Sequence, residues 1–141
     1  MENIFIARTE AEIGLCFDAF KALRPNLENR ETFIAQVLRQ KQQSYNIVAI
    51  RSDSSVPSAA GFRFGEFLAW GKVLYVDDLT TLPDCRGRGY GGQLMDWLID
   101  HARSKECDSL HLDTGYARHD AHRLYLKKGL LLASHHLAIE L

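Results

Sequence analysis

No stretch of the sequence runs uninterrupted through the roughly 20 apolar residues a helix needs to cross a bilayer, so no membrane-spanning segment is expected. The opening MENIFIARTEAEIG lacks a basic segment followed by an apolar one, and it does not read as a secretory leader. An excess of either charge is missing as well. Lysines and arginines number 17 against 18 aspartates and glutamates, a net charge of -1, so no global field draws the chain to nucleic acid or an anionic membrane. Any anion site must therefore be local. Cysteine is scarce: Cys16, Cys85 and Cys107 are odd in number and show no CxxC spacing, the pattern of reduced thiols in a cytoplasmic protein. The six histidines include His119 and His122, three apart, and the adjacent His135 and His136, but no cysteine or carboxylate stands around them at zinc-site spacing. No metal is expected. Cys85 and His111 have nothing to orient them as nucleophile and base. Repeats, low-complexity tracts and linkers are absent, and 141 residues with 46% hydrophobic content suffice for one domain, residues 1–141, whose core needs no disulfide.

What is present is a succession of short elements. NIFIAR alternates and is β-branched, and Thr9 with Glu12 three residues later forms a capping box for a helix from Glu10 to Leu23. A second helix fits Arg30 to Gln43, with Phe33, Ile34, Val37 and Leu38 on one stripe. YNIVAIR reads as a strand and SDSSVPSAA as the turn after it. AGFRFGEFLAWG and, after Gly71, KVLYVDDLTTL complete an antiparallel run of three strands that Pro83 ends. Leu94, Trp97, Leu98 and Ala102 recur at helical spacing over Gly91 to Lys105, and DSLHLDT is a short strand. The last helix, His119 to Lys128, carries Ala121, Leu124 and Tyr125 on one face and stops at Gly129. LLLASHHLAIEL is expected to close the chain as one or two strands. A strand-helix-strand crossover inside a mostly antiparallel order implies one parallel pair in a three-layer α/β domain.

The segment CRGRGYGG places Gly87, Gly89, Gly91 and Gly92 within six positions, directly before a helix. Glycine there costs about 0.5–1 kcal/mol each relative to alanine, or roughly 2–4 kcal/mol for the four, and a simple turn does not require so many. A backbone without Cβ atoms lets N–H groups converge on an anion at the positive end of the helix, and phosphate is the favoured anion. Arg86 and Arg88 add bidentate donors. The plain alternative is a flexible connection. No Gly-Lys-Ser/Thr follows, which excludes a Walker A loop, and no acidic residue ends a matching strand about 20 residues on, which makes a poor dinucleotide fingerprint.

RGRGYGG after VDDLTTLPDC resembles motif A of the GNAT N-acetyltransferases, Gln/Arg-x-x-Gly-x-Gly/Ala, with Arg86, Gly89 and Gly91 in its three defined places. DAHRLYLKKGL is similar to the same family's A-x-x-x-Tyr-x-x-x-Gly-Phe segment through Ala121, Tyr125 and Gly129. The motifs cover Leu74 to the C-terminus, and the element order covers the whole chain. Leu130 departs from the family phenylalanine, Gly92 from a common Lys, Ser or Thr, and Arg118 from an asparagine that contacts the cofactor. The resemblance implies a GNAT-like fold: a mixed, mostly antiparallel central sheet with one parallel strand pair, flanked by helices on both faces. It implies acetyl-CoA as cofactor, with coenzyme A as product. The pyrophosphate would lie on the amides of Arg86, Gly87, Arg88, Gly89, Tyr90, Gly91 and Gly92, with Arg118 in the place of the family asparagine. The pantetheine arm would pair with strand backbone across Leu79, Thr80 and Thr81, in a slot made by a splayed strand.

The implied reaction moves an acetyl group from acetyl-CoA to a primary amine of a small molecule or peptide by direct attack in a ternary complex. An alkylamine of pKa about 10.4 is neutral in roughly one molecule in 2,500 at pH 7, so a carboxylate near the acceptor is expected. Asp77 aligns with a family glutamate proposed as base and is the first choice. Asp78 is its neighbour, and because adjacent strand residues face opposite sides the two are not expected to share a site. Tyr125 matches the family's general acid, placed to hydrogen-bond the sulfur. Arg24, in KALRPNLENR, stands where family members line the acceptor pocket and suits an acidic group on the acceptor. Neither nucleic acid nor membrane is expected as a partner; a homodimer is among the expected assemblies. The rival class is a non-catalytic acetyl-CoA-binding or partner-binding module of the same fold.

Overall fold

Five strands lie in sequence order across one sheet in the computed structural model, which describes residues 2–141. They are β1 (Glu2–Ile6), β2 (Asn46–Ser52), β3 (Ser55–Phe67), β4 (Gly71–Thr81) and β5 (Ser109–Leu112). The first four pair antiparallel, and β5 joins β4 in parallel over Val73–Val76 against Ser109–Leu112. Helices α1 (Glu10–Leu15), α2 (Phe17–Leu23) and α3 (Arg30–Lys41) follow β1; α4 (Tyr90–Ser104) crosses from β4 to β5; α5 (His119–Lys127) follows β5. Alternate residues of β2 feed two cores. Val48 and Ile50 pack with Leu94, Met95 and Leu98 of α4, while Ile47 and Ala49 pack with Ile13, Phe20 and Phe33 of the first three helices. The sheet is thus covered on both faces, as a GNAT-like arrangement requires.

Local chemistry explains most boundaries. The Thr9 hydroxyl accepts the Glu12 N–H at 3.1 Å and the Glu12 carboxylate accepts the Thr9 N–H at 3.0 Å, the reciprocal box the spacing predicts. The single helix expected from Glu10 to Leu23 is instead two, because at Cys16 (φ -86°, ψ -6°) the backbone N–H turns to the carbonyl of Ile13. The turn expected over SDSSVPSAA shrinks to residues 53–54, and Ser55 already belongs to β3. Proline tolerates this position because Val56 and Pro57 together oppose one residue of β2 between the Ser52–Ser55 and Ile50–Ser58 pairs, a bulge that needs no ladder donor at Pro57. LLLASHHLAIEL forms no strand: residues 131–141 carry no regular structure and are exposed throughout.

Strand β4 departs from regularity in two places. At its start, Gly71 (φ 74°) brings Lys72 against Asp108: the Lys72 N–H donates to the Asp108 carboxylate at 2.9 Å and the Asp108 N–H to the Lys72 carbonyl at 2.7 Å. Further along, Gly61 pairs with Asp78 and Phe62 with Val76, leaving Asp77 without an opposite residue. That bulge breaks the alternation, so the expectation that Asp77 and Asp78 face opposite sides fails. Across from it, the buried Tyr45 lies directly over Gly61, where a Cβ would overlap the phenol. The Gly61→Ala variant is expected to lose about 1–3 kcal/mol of stability by overpacking, measured by urea denaturation, and to displace the Tyr45 hydroxyl from the aspartate it holds.

Candidate functional site

Strand β5 ends at Leu112, whereas β4 continues to Thr81. Past Val76, therefore, β4 keeps β3 on one side and, among the described residues, has no strand on the other. This fork opens a cavity of about 210 Å³ bounded by Asp77, Asp78 and Leu79 on one side and by Thr114, Arg118 and Tyr125 on the other. A second cavity of about 290 Å³ lies toward α2 and α3, walled by Phe20, Phe33 and Val37, and shares Arg24, Asp77 and Asp78 with the first. The two candidate carboxylates stand at the junction of both.

Each carboxylate is held by a cation. Arg63 grips Asp77 through its Nε at 3.0 and 3.1 Å and its Nη2 at 2.5 Å. Arg24 donates from Nε and Nη2 to Asp78 Oδ1 at 3.0 and 2.9 Å, while Tyr45 donates its hydroxyl to Oδ2 at 2.8 Å. Burial raises the Asp77 carboxyl above the ordinary carboxylate range, and the Arg63 hydrogen bonds offset part of that rise. Tyr45 is raised well above its usual value by burial and by the neighbouring Asp78 charge, so it stays a donor. Tyr125 is only 6% exposed; burial raises its phenol while Arg118 works in the opposite direction. Among the described residues no hydrogen-bond partner meets the Tyr125 hydroxyl.

The glycine turn lies beyond the end of β4. Gly87 and Gly89 take φ of 79° and 84°, and Gly89 caps α4 in the left-handed conformation without a side-chain cap. The first α4 bond runs from Gln93 N–H to the Gly89 carbonyl, so the amides of Gly91 and Gly92 precede the helical ladder. Gly91 and Gly92 have a different cause: α5 crosses there, with Leu124 and Lys128 against the positions a Cβ would take. The Arg86 N–H closes a 3-10 turn on Pro83 at 3.4 Å, and the Arg88 side chain reaches the Asp84 carbonyl at 3.4 Å. Thr80 turns into the layer beneath, donating to the Ala19 carbonyl at 2.8 Å, and the Thr81 hydroxyl meets Ser58 Oγ at 2.9 Å.

Sequence reasoning missed several residues here. Tyr45, just before β2, and Arg63 of β3 orient the two aspartates, and only knowledge of the Asp77 bulge would have paired them. Thr114, one of the residues lining the fork, carries a buried hydroxyl with no partner among the described residues. Lys128, paired with Asp96 at 2.9 Å, sets its ammonium beside Gly92 and adds a cation to the glycine turn. Asp113 accepts from the Tyr75 hydroxyl. No group of three or more histidine, cysteine or acidic side chains is placed to hold a metal among the described residues.

A family model described as the acetyltransferase (GNAT) family matches residues 15–130. The chain belongs to that family. Among GNAT relatives, the uncharacterized N-acetyltransferase YhdJ of Bacillus subtilis (strain 168) is 32% identical over 88 residues, 62% of each chain. The aminoalkylphosphonate N-acetyltransferase of Salmonella typhimurium is 39% identical over 54 residues, 38% of this chain and 35% of that one. The chain thus spans less than two thirds of the length of the curated relatives it matches. A predicted acetyltransferase of Clostridium acetobutylicum, crystallised with acetyl-CoA, superposes with a TM-score of 0.79 at 16% identity, covering 99% of this chain and 96% of that one. At that identity the likeness concerns the GNAT fold alone.

Replacing Arg63 by leucine removes the strongest influence holding the Asp77 carboxyl down, so its pKa is expected to rise further, read from the carboxyl ¹³C shift. With the folded value above the unfolded one, protonation favours folding: the variant should be most stable relative to the native chain in acid and lose ground as pH climbs through the folded pKa. Denaturant melts at about pH 4 and about pH 7 check the sign.

Proposed function

We propose that this chain transfers an acetyl group from acetyl-CoA to the primary amine of a small molecule or peptide in a ternary complex. The observation that carries the reading is that Asp77 and Tyr125 line one cavity, at the fork between the glycine turn and the second cavity. When bound, acetyl-CoA supplies an acetyl thioester. The residues available for it fit a long anionic ligand. Gly91 and Gly92 offer amides at the α4 N-terminus, Arg86, Arg88 and Lys128 add charge, and the open edge of β4 from Leu79 to Thr81 offers backbone. In this reading Arg118 and Thr114 line the same slot from the α5 side.

The second cavity takes the acceptor. Asp77 accepts a proton as the amine nitrogen forms its new bond to the acetyl carbon, and its raised pKa makes it a better base than an ordinary carboxylate. Tyr125 gives a proton to the sulfur as the carbon–sulfur bond breaks; burial keeps that phenol protonated until then. Asp78 is oriented by Arg24 and Tyr45. Arg63 and Arg24 balance the two carboxylates, so net charge does not attract the acceptor. An acceptor with its own acidic group competes for Arg24, whose side chain is 47% exposed, and frees Asp78 Oδ1 for the amine. The name of the aminoalkylphosphonate acetyltransferase relative favours acceptors of that type.

A thermal-shift titration tests the binding half. Acetyl-CoA should raise the melting temperature, and Gly92→Asp, which sets a carboxylate beside Lys128 at the α4 N-terminus, should weaken that rise while leaving the unliganded melt within a few degrees. Release of free thiol across a panel of amines, amino acids and aminoalkylphosphonates tests the chemistry. Tyr125→Phe is expected to lower kcat about a hundredfold or more with the acetyl-CoA thermal shift retained. Unchanged turnover removes Tyr125 from the reaction, and binding without thiol release from any acceptor makes the chain a binding module.

A further inference from the structure

The two ion pairs at the junction of the cavities are not equivalent. Arg63 meets both oxygens of Asp77, with Nε at 3.0 and 3.1 Å and Nη2 on Oδ2, which is the two-oxygen pairing a guanidinium prefers. Arg24 does not reach that arrangement. Its Nε and Nη2 both converge on Asp78 Oδ1, while Tyr45 holds Oδ2 at 2.8 Å, so the second oxygen is not offered to the arginine. Arg24 is also the more exposed of the two side chains, 47% against 26% for Arg63. The pair that an incoming ligand can open is therefore Arg24 with Asp78.

Among the described residues that bound the second cavity, Arg24 is the one cation. Lys21, one turn earlier on α2, is committed to the turn after the helix, where its ammonium donates to the carbonyls of Pro25, at 2.7 Å, and Leu27. Arg24 itself caps α2 outside helical geometry (φ -119°, ψ 82°) and donates to the Asp77 carbonyl at 3.1 Å, a contact that does not depend on the Asp78 carboxylate. Away from these charges the cavity has an apolar wall. Phe20 and Phe33, with ring centroids 5.4 Å apart, line it together with Val37. At about 30 Å³ per water-sized group, 290 Å³ takes roughly ten non-hydrogen atoms.

Resting on acetyl transfer as the reaction, we infer that the acceptor is a free amino acid with an apolar side chain, read by exchange of the Arg24–Asp78 pair. The acid group takes Arg24 with two oxygens, the ammonium takes the freed Asp78 Oδ1, and the side chain lies on Phe20, Phe33 and Val37. Each protein charge keeps an opposite partner through the exchange, so no charge is left buried and unpaired. Arg24 Nη2 and Asp78 Oδ1 are 2.9 Å apart, so an amine and an acid that insert between them stand one or two carbons apart, as in α- and β-amino acids and their phosphonate counterparts. A simple amine offers Arg24 nothing, and a peptide N-terminus presents an amide in place of the acid. The bound ammonium sheds one proton to solvent to become the nucleophile. Its second proton leaves to Asp77 as the nitrogen–carbon bond forms and the carbon–sulfur bond breaks, with Tyr125 protonating the sulfur.

Thiol release at saturating acetyl-CoA is compared for leucine, its phosphonate analogue, leucinamide and isoamylamine, which share a side chain and differ at the acid. Leucine and the phosphonate should each show kcat/KM about tenfold or more above leucinamide and isoamylamine, the effect of one charge-assisted pairing. Arg24→Gln should bring leucine and isoamylamine within about threefold of each other, and Arg24→Lys, which keeps the charge without the planar fork, should fall between. Binding is read separately from the melting temperature of the coenzyme A complex. Leucine should raise it and isoamylamine should not, and the rise with leucine should vanish in Arg24→Gln. Leucinamide or isoamylamine turned over as readily as the two acids, or an Arg24→Gln protein that keeps the preference, overturns the inference and leaves acetyl transfer standing. No thiol from any amine strikes the transfer reading itself, and the inference with it.

Discussion

Strand β4 has strand neighbours on both sides only as far as Val76. Everything chemical in the molecule is arranged around that limit. A β5 extended by four more residues would have taken up the second edge of β4 and closed the fork between Leu79 and Thr114. Because it stops, a length of β4 backbone stays available in a wall whose other side is firmly laddered to β3. The same departure places the start of α4 at the end of the open edge. A strand edge, a glycine turn and a helix N-terminus then follow one another along the chain.

The bulge at Asp77 is the second constraint. In a regular ladder one of two adjacent aspartates would have been lost to the opposite face; the skipped pairing turns both toward the junction of the cavities. The neighbouring Asp78 charge adds to the rise at Asp77, and Arg63 and, less strongly, Arg24 oppose it. Burial works against Arg63 at Asp77 and wins, which leaves a carboxylate more basic than usual but still ion-paired. Tyr45, packed over Gly61, fixes the far oxygen of Asp78. Stability and the geometry of the site meet at that one glycine.

Much of this is legible in the residues themselves. The Thr9–Glu12 box, the α4 stripe and the stop at Gly129 follow from local chemistry and appear as expected. Asp77, Arg24, Arg118 and Tyr125 stand out in the sequence and lie around two adjoining cavities. What escapes is set by pairing across distance. Pro57 marks a turn by composition, but a bulge lets it sit inside a strand; Asp77 and Asp78 obey alternation until a register skip cancels it. Arg63 and Tyr45 have no local signal, since their roles exist only once β2, β3 and β4 are aligned. The closing LLLASHHLAIEL, expected as one or two strands, forms none, because a strand needs a paired neighbour that β-propensity alone does not supply.

The bonds between Lys72 and Asp108 fasten β4 to β5 at one end, and the ladder out to Val76 and Leu112, with the Tyr75 hydroxyl on Asp113, fastens them at the other. Two rods joined over part of their length can part only beyond the joint. Any widening of the gap is therefore small beside Val76 and greatest toward Thr81, so the fork admits narrow groups at its root and bulkier ones only farther out.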